Sequence, residues 1–186
     1  MVKLNRIYTR TGDGGTTGLV DGSRRRKDDP RIVAIGSVDE SNAALGLARL
    51  HADGELDALL ARMQNDLFDL GADLATPSDD VPWPVLRIKA AQVTALEEAL
   101  DRYNDALSPL TSFILPAGTP LSAHLHLART LARRAERDAV TLNAGETINP
   151  EALKYLNRLS DLLFVLARHA NDHGRADILW VPGATS

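Results

Sequence analysis

Three arginines, Arg129, Arg133 and Arg137, recur at every fourth position around the stretch ARTLARRAER (residues 128–137), with Arg134 and Glu136 between them. On a 3.6-residue helix Arg129, Arg133, Glu136 and Arg137 fall within roughly 100° of arc. Leu125, Ala128, Leu131, Ala132 and Ala135 take the adjoining side, and Arg134 points away from the column. Such a column repels itself, and one glutamate does not neutralise three cations. A solvated face laced with Arg–Glu pairs is one reading; a docking face for a small polyanion is the other.

Two further stretches offer phosphate chemistry. YTRTGDGGTTG (residues 8–18) and RRRKDD (24–29) combine alternating Gly and Thr with Lys27. Free backbone N–H groups, hydroxyls and permissive dihedrals are what an anion-cradling nest requires, although a Gly-rich run is also an ordinary turn. The pattern G-x-x-x-x-G-K-[ST] of a Walker loop is missing. YLNRLSD (155–161) sets Asn157 and Asp161 one turn apart beside an apolar seam of Leu156, Leu159, Leu163 and Leu166. Asn157 there is either a satisfied core amide or a ligand-orienting group.

Other chemistries are poorly represented. The chain has no cysteine, which excludes disulfides, thiolate nucleophiles and Cys-based metal sites. Its five histidines (51, 124, 126, 169 and 173) form no HExxH-type pair and read as surface or partly buried groups. No activated-nucleophile motif is present, and Asp39, Glu40, Glu136 and Asp161 are the few carboxylates placed for acid–base work. A formal net charge of -4 argues against a general nucleic-acid binder. These residues suggest a protein that holds phosphates without supplying a nucleophile of its own.

The elements that must position them are legible from helix punctuation. Asp29-Pro30, Thr119-Pro120 and Asn149-Pro150 each set a capping side chain before a proline at the first helical position. They predict helices from Pro30 to about residue 52, with Gly54 as its stop, from Pro120 to about 142, and from Pro150 to about 171. Leucine spacing predicts another over 56–75, and Val93, Leu96 and Leu100 mark one near 87–107. Strand alternation is nearly absent; IYT (7–9) and ILWV (178–181) read at most as short extended ends. With 186 residues, 44% of them apolar, and no dividing linker, the expectation is one domain. That domain is an all-α bundle of five helices (30–174), with an N-terminal arm (1–29) and a C-terminal tail (175–186). No apolar run is long enough to span a membrane and no secretory signal is evident, so the expected location is the cytoplasm.

Taken in order, TRTGDGGTTGL, RRRKDDPRIVAIGSVDESNAALGLA, FILPAGTPLSAHLHLARTLARRAER and YLNRLSDLLFVLAR closely resemble the PduO-type ATP:cob(I)alamin adenosyltransferases over nearly the whole length. The resemblance implies transfer of the 5′-deoxyadenosyl group of ATP to the cobalt of reduced cobalamin, with release of triphosphate. It implies a homotrimer with sites between subunits, and magnesium held mainly by the ATP phosphates. A cob(II)alamin reductase and an adenosylcobalamin-dependent acceptor enzyme are the implied partners, without nucleic acid or membrane. The absent nucleophile is then explained, because cobalt(I) itself attacks carbon.

Residue by residue, Thr9, Arg10, Thr11, Gly12, Thr17 and Gly18 match the family's ATP-binding arm, and Lys27 its phosphate-contacting lysine. Arg133, Arg134, Glu136 and Arg137 fall on its ATP-site helix, and Asn157 on its nucleotide-contacting asparagine. Asp39 and Arg129 match an ion pair formed across the subunit boundary beside the corrinoid. Phe113, which composition alone places in the core, matches the aromatic set against the lower face of the corrin. There it displaces the lower ligand and leaves cobalt four-coordinate. A sensor or delivery protein would keep the same fold, but arm, arginine helix and Phe113 together disfavour a pure sensor.

Overall fold

The computed structural model describes residues 7–184, and the three proline-marked starts lie where punctuation puts them. The helices are α1 (Pro30–Arg49), α2 (Gly54–Leu74), α3 (Ala90–Asn104), α4 (Pro120–Gly145) and α5 (Pro150–Ala170). The Asp29 carboxylate accepts from the Arg31 N–H at 2.9 Å. Thr119 Oγ1 accepts from Ser122 N–H at 3.1 Å, and Asn149 Oδ1 from Glu151 N–H at 3.1 Å. Each cap satisfies a donor that the first helical turn leaves unpaired, and its loss costs about 1 kcal/mol.

Three boundaries differ from expectation. Gly54 does not stop α1; it opens α2 at φ 50°, and α1 ends at Arg49 in a turn through His51. α3 begins at Ala90, because residues just before it are held extended by the buried Asp73. That carboxylate accepts from Ile88 N–H at 2.8 Å, Arg87 Nη1 at 2.7 Å and Asn149 Nδ2 at 2.7 Å. One group thus ties the end of α2, the approach to α3 and the start of α5. α4 runs three residues further than expected, to Gly145.

The arm is not a loop throughout. β1 (Thr16–Gly18) pairs antiparallel with β2 (Arg24–Arg26), Thr17 opposite Arg25. The sequence hid this hairpin because both strands are polar and lack an apolar alternation. Its turn is built by Gly22 at φ 82° and by Asp21, whose carboxylate accepts from Ser23 N–H at 2.9 Å. Buried Leu19 and a Val20 N–H to Ala75 C=O bond of 3.2 Å seat the hairpin on the end of α2. Of the two expected extended ends, 7–9 form no strand, whereas Leu179 makes a β-bridge with Ile114.

α4 lies between α1 and α5, while α2 packs on α1 and α3 on α5. Its buried seam is Ala128, Ala132, Ala135 and Ala139. Alanines let the backbones of both neighbours approach closely, so α4 is gripped on two sides. The remaining face of α4 carries the arginines. Among the described residues no helix is long and apolar enough to cross a membrane.

Candidate active site

The α4 face separates its arginines by their surroundings. Arg133 and Arg137 are exposed, and Arg137 Nη1 donates to the Arg133 carbonyl at 3.1 Å. Neither has a carboxylate partner among the described residues. Arg31, Arg49, Arg87, Arg158 and Arg168, in contrast, each hold one. Arg129 is half-buried, and its Nε is enclosed without an acceptor. Burial, with the Arg133 guanidinium beside it, holds Arg129 below its ordinary pKa. Arg134 turns to α1 and pairs with Glu40.

Glu136 is committed across the α4–α5 seam, where its Oε1 accepts from Asn157 Nδ2 at 2.9 Å. Asn157 Oδ1 in turn accepts from Arg158 Nη1, whose Nε donates to Glu97 at 2.9 Å. The chain fixes the amide's orientation and leaves Arg133 and Arg137 cationic beside it. The result is an exposed arginine face with a fixed amide at its edge, a chemistry suited to an anion.

In the arm, Arg24 gathers the Gly/Thr loop. Its Nη2 donates to the carbonyl of Thr11 at 2.7 Å and to Oγ1 of Thr16 at 2.8 Å. Lys27 lies over Gly12, where an added Cβ would stand 3.3 Å from its Nζ. Thr9 and Thr11 share a hydroxyl hydrogen bond of 2.8 Å, and Arg10 takes a left-handed φ of 61° over the Tyr8 ring. Thr17 and Gly18 lie in β1. Arg25 anchors the hairpin to Glu146, just past α4, at 3.1 Å. Among the described residues no hydrogen bond or ion pair joins residues 9–18 or Lys27 to Arg133, Arg137 or Asn157. Within the chain the arm and the arginine column are thus not joined by direct polar contacts.

Asp39 is exposed on α1 and has no ion-pair partner among the described residues. It borders an apolar groove of about 440 Å³ between α1 and α2, lined by Ile32, Ile35, Gly36, Phe68 and Ala72. Phe68 points out of the bundle at 72% exposure. Sequence reasoning missed this groove; the signal was Phe68 lying off the leucine stripe of α2. Phe113 is not a core residue, being 77% exposed on the loop before α4, which runs outside the helical core. Among the described residues no cluster of three or more His, Asp or Glu is arranged to hold a metal ion.

The chain is similar to proteins of one family. The cobalamin adenosyltransferase family model matches residues 7–170. The corrinoid adenosyltransferase of Mycobacterium tuberculosis is 54% identical over 190 residues, covering 98% of this chain and 96% of its own length. The corrinoid adenosyltransferase PduO of Salmonella typhimurium is 46% identical over 176 residues, covering 93% of this chain and 52% of its own. Among solved structures, a phenylalanine-to-histidine variant of a PduO-type ATP:corrinoid adenosyltransferase from Lactobacillus reuteri, complexed with cobalamin and ATP, aligns with a TM-score of 0.89. It is 39% identical and covers 95% of this chain and 97% of its own. An arginine-to-lysine variant from the same organism, complexed with ATP, aligns at 0.87 and 40% identity, covering 95% of this chain and 100% of its own. With its five-helix architecture and its motifs matched along this length, the chain belongs to the cobalamin adenosyltransferase family, as a PduO-type member.

Proposed function

We propose that this chain transfers the 5′-deoxyadenosyl group of ATP to the cobalt of a reduced corrinoid, acting as a homotrimer with sites between subunits. The observation that carries the reading is the α4 face, where Arg133 and Arg137 stand exposed without carboxylate partners among the described residues, beside an oriented Asn157. In the reaction the cobalt(I) electron pair attacks C5′ and the cobalt–carbon bond forms. The C5′–oxygen bond breaks, and triphosphate departs with its electron pair. No proton moves, so no general base is required. The protein's task is to align the reactants, exclude water and stabilise the charge on the leaving oxygen.

Arg133 and Arg137 neutralise that charge, and Asn157, held by Glu136, orients the nucleotide. The arm residues Thr9, Arg10, Thr11, Gly12, Thr17, Gly18 and Lys27 enclose its phosphates, with magnesium carried chiefly by the phosphates themselves. A site between subunits is supported by the separation of arm and arginine column within one protomer. It is also supported by Arg129 and the exposed Asp39, neither of which has an ion-pair partner among the described residues; together they complete an ion pair across the boundary. Arg134, held by Glu40, stiffens the α1–α4 seam behind the nucleotide.

The corrin meets the apolar groove beside Asp39, and Phe113 covers its lower face, keeping cobalt four-coordinate. Loss of an axial donor lowers the energy of the orbital that accepts the electron, so cobalt(II) is more easily reduced. A cytoplasmic setting follows, in which a one-electron reductase supplies cobalt(I) and an adenosylcobalamin-dependent enzyme consumes the product. The whole chain, arm and tail included, works as one domain.

An anaerobic assay with ATP, magnesium and chemically reduced cobalamin, followed by visible absorption of the cobalt–carbon product, tests this reading. Turnover is expected. Arg133→Ala is expected to lower kcat/KM by about 100-fold or more with the fold intact, as for loss of a transition-state charge partner. Absence of turnover, or an unimpaired Arg133→Ala enzyme, overturns the corresponding part.

A further inference from the structure

Phe113 sits in a segment with nothing to bury. From Ser108 to Thr119 every residue is exposed or half-exposed, so apolar packing does not fix the loop. Its two ends are clamped by the end of α5. Arg168 Nη2 donates to Ser108 C=O at 2.9 Å. Asn171 Nδ2 donates to Ala117 C=O at 3.2 Å, and Asn171 Oδ1 accepts from Thr119 N–H at 3.0 Å.

The middle of the loop is held by another part of the chain. The segment after α5 returns alongside it, bridging Leu179 to Ile114. Leu115 N–H donates to Ile178 C=O at 2.8 Å, and Trp180 N–H to Phe113 C=O at 2.8 Å. Ser112 Oγ donates to Trp180 C=O at 2.9 Å. The returning segment is itself anchored, because Asp177 Oδ2 accepts from the buried Arg168 Nε at 2.9 Å. The indole of Trp180 then lies against the Phe113 ring, with centroids 6.0 Å apart and planes at 61°. Among the described residues no other aromatic ring lies against Phe113.

We propose that Trp180 is a positioning residue for Phe113, its indole setting the angle at which the exposed phenyl ring meets the corrinoid. The functional half of this inference rests on the role given to Phe113 above; the positioning half does not. Edge-to-face contact selects one orientation of a ring that is otherwise free to turn, and orientation decides whether the phenyl face occupies the position of the departing lower ligand. The three hydrogen bonds to the tail use backbone atoms or Ser112, so a change of the Trp180 side chain removes no donor or acceptor, but it takes away the ring packing that steadies the loop against opening. The ring's contribution is therefore separable from that of the strand.

The experiment compares the full-length protein with Trp180→Ala, Trp180→Phe and Phe113→Ala. Hydrogen exchange over residues 112–116, without corrinoid, reads how firmly the indole holds the loop that carries Phe113. ATP affinity and the four-coordinate cob(II)alamin spectrum at saturating MgATP read its consequence. Trp180→Ala is expected to speed exchange in 112–116 several-fold and to lower the four-coordinate fraction several-fold with ATP affinity unchanged. Trp180→Phe, which keeps an edge-to-face partner, is expected to restore both. If Trp180→Ala does not fold, Trp180→Leu takes its place with the same readouts. Wild-type exchange in a side-chain-truncated variant overturns the inference whatever the corrinoid does. Faster exchange with an undiminished cobalt signal, while Phe113→Ala loses it, also overturns the inference. An undiminished signal in Phe113→Ala instead removes the role given to Phe113, and the exchange result still decides whether Trp180 positions it.

Discussion

Gly118 and Asn171 interlock: a Cβ built on Gly118 would stand 2.2 Å from Oδ1 of Asn171 and 2.6 Å from its Cγ. Asn171 is fully buried and committed to Ala117 and Thr119, so it does not yield. Gly118 also holds φ at 113°, a region that L side chains rarely occupy. Gly118→Ala is expected to cost about 3 kcal/mol through overpacking and backbone strain. A thermal melt matching the parent would contradict the interlock.

Arg129 and Asp39 lend themselves to a double-mutant cycle. If each completes the other across a subunit boundary, Asp39→Ala, Arg129→Ala and the double variant should weaken assembly to a similar extent. Sedimentation velocity reads the outcome directly. Strictly additive losses would show that the two side chains do not meet.

Asn157→Ala removes the amide whose donor is engaged by Glu136 at 2.9 Å. The expected result is a KM for ATP raised about ten-fold, the scale of one well-formed hydrogen bond, with an unchanged melting temperature. A variant that melts early with a normal KM would instead assign Asn157 to the α4–α5 seam.

The histidines give the stability a definite pH slope. His126 is 1% exposed and neither ring nitrogen has a hydrogen-bond partner among the described residues. Burial first, then Arg129, holds its pKa below the ordinary 6.5, while the opposing attraction of Asp177 is the smaller effect. His169 is lowered by burial and by His173. The unfolded chain therefore takes up protons before the folded one. Stability from these groups is complete above about pH 6.5 and drains as pH falls from there toward the depressed folded values. His126→Leu is expected to flatten that decline in denaturant midpoints measured between pH 7 and 5; an identical slope would exclude it.

Much of this was legible where local chemistry decides. Pro30, Pro120 and Pro150, each behind a capping side chain, mark starts that no tertiary contact moves. The four-residue spacing of Arg129, Arg133 and Arg137 gives a shared helical face in any context. The start of α3 was not legible, because Ile88 is held by Asp73 from a distant turn. Nor was the hairpin of β1 and β2, whose partners are polar and whose register depends on Arg24 and the end of α2. Phe113 shows the limit most clearly: composition assigns a phenylalanine to the core, and only the three-dimensional loop reveals that it stays exposed with a single indole beside it. The unpaired state of Arg133 is likewise invisible in sequence, since it is defined by which carboxylates fail to reach it.

The strand that steadies Phe113 also orders events during synthesis. Ser112 and Trp180 lie 68 positions apart. A nascent chain emerging from the ribosome therefore exposes the loop long before its partner strand exists. The α1–α4 pairing can form early, but the loop has to wait for the final turn of α5 and the residues beyond it. The loop is thus completed only after α5 and the strand that follows it have been made.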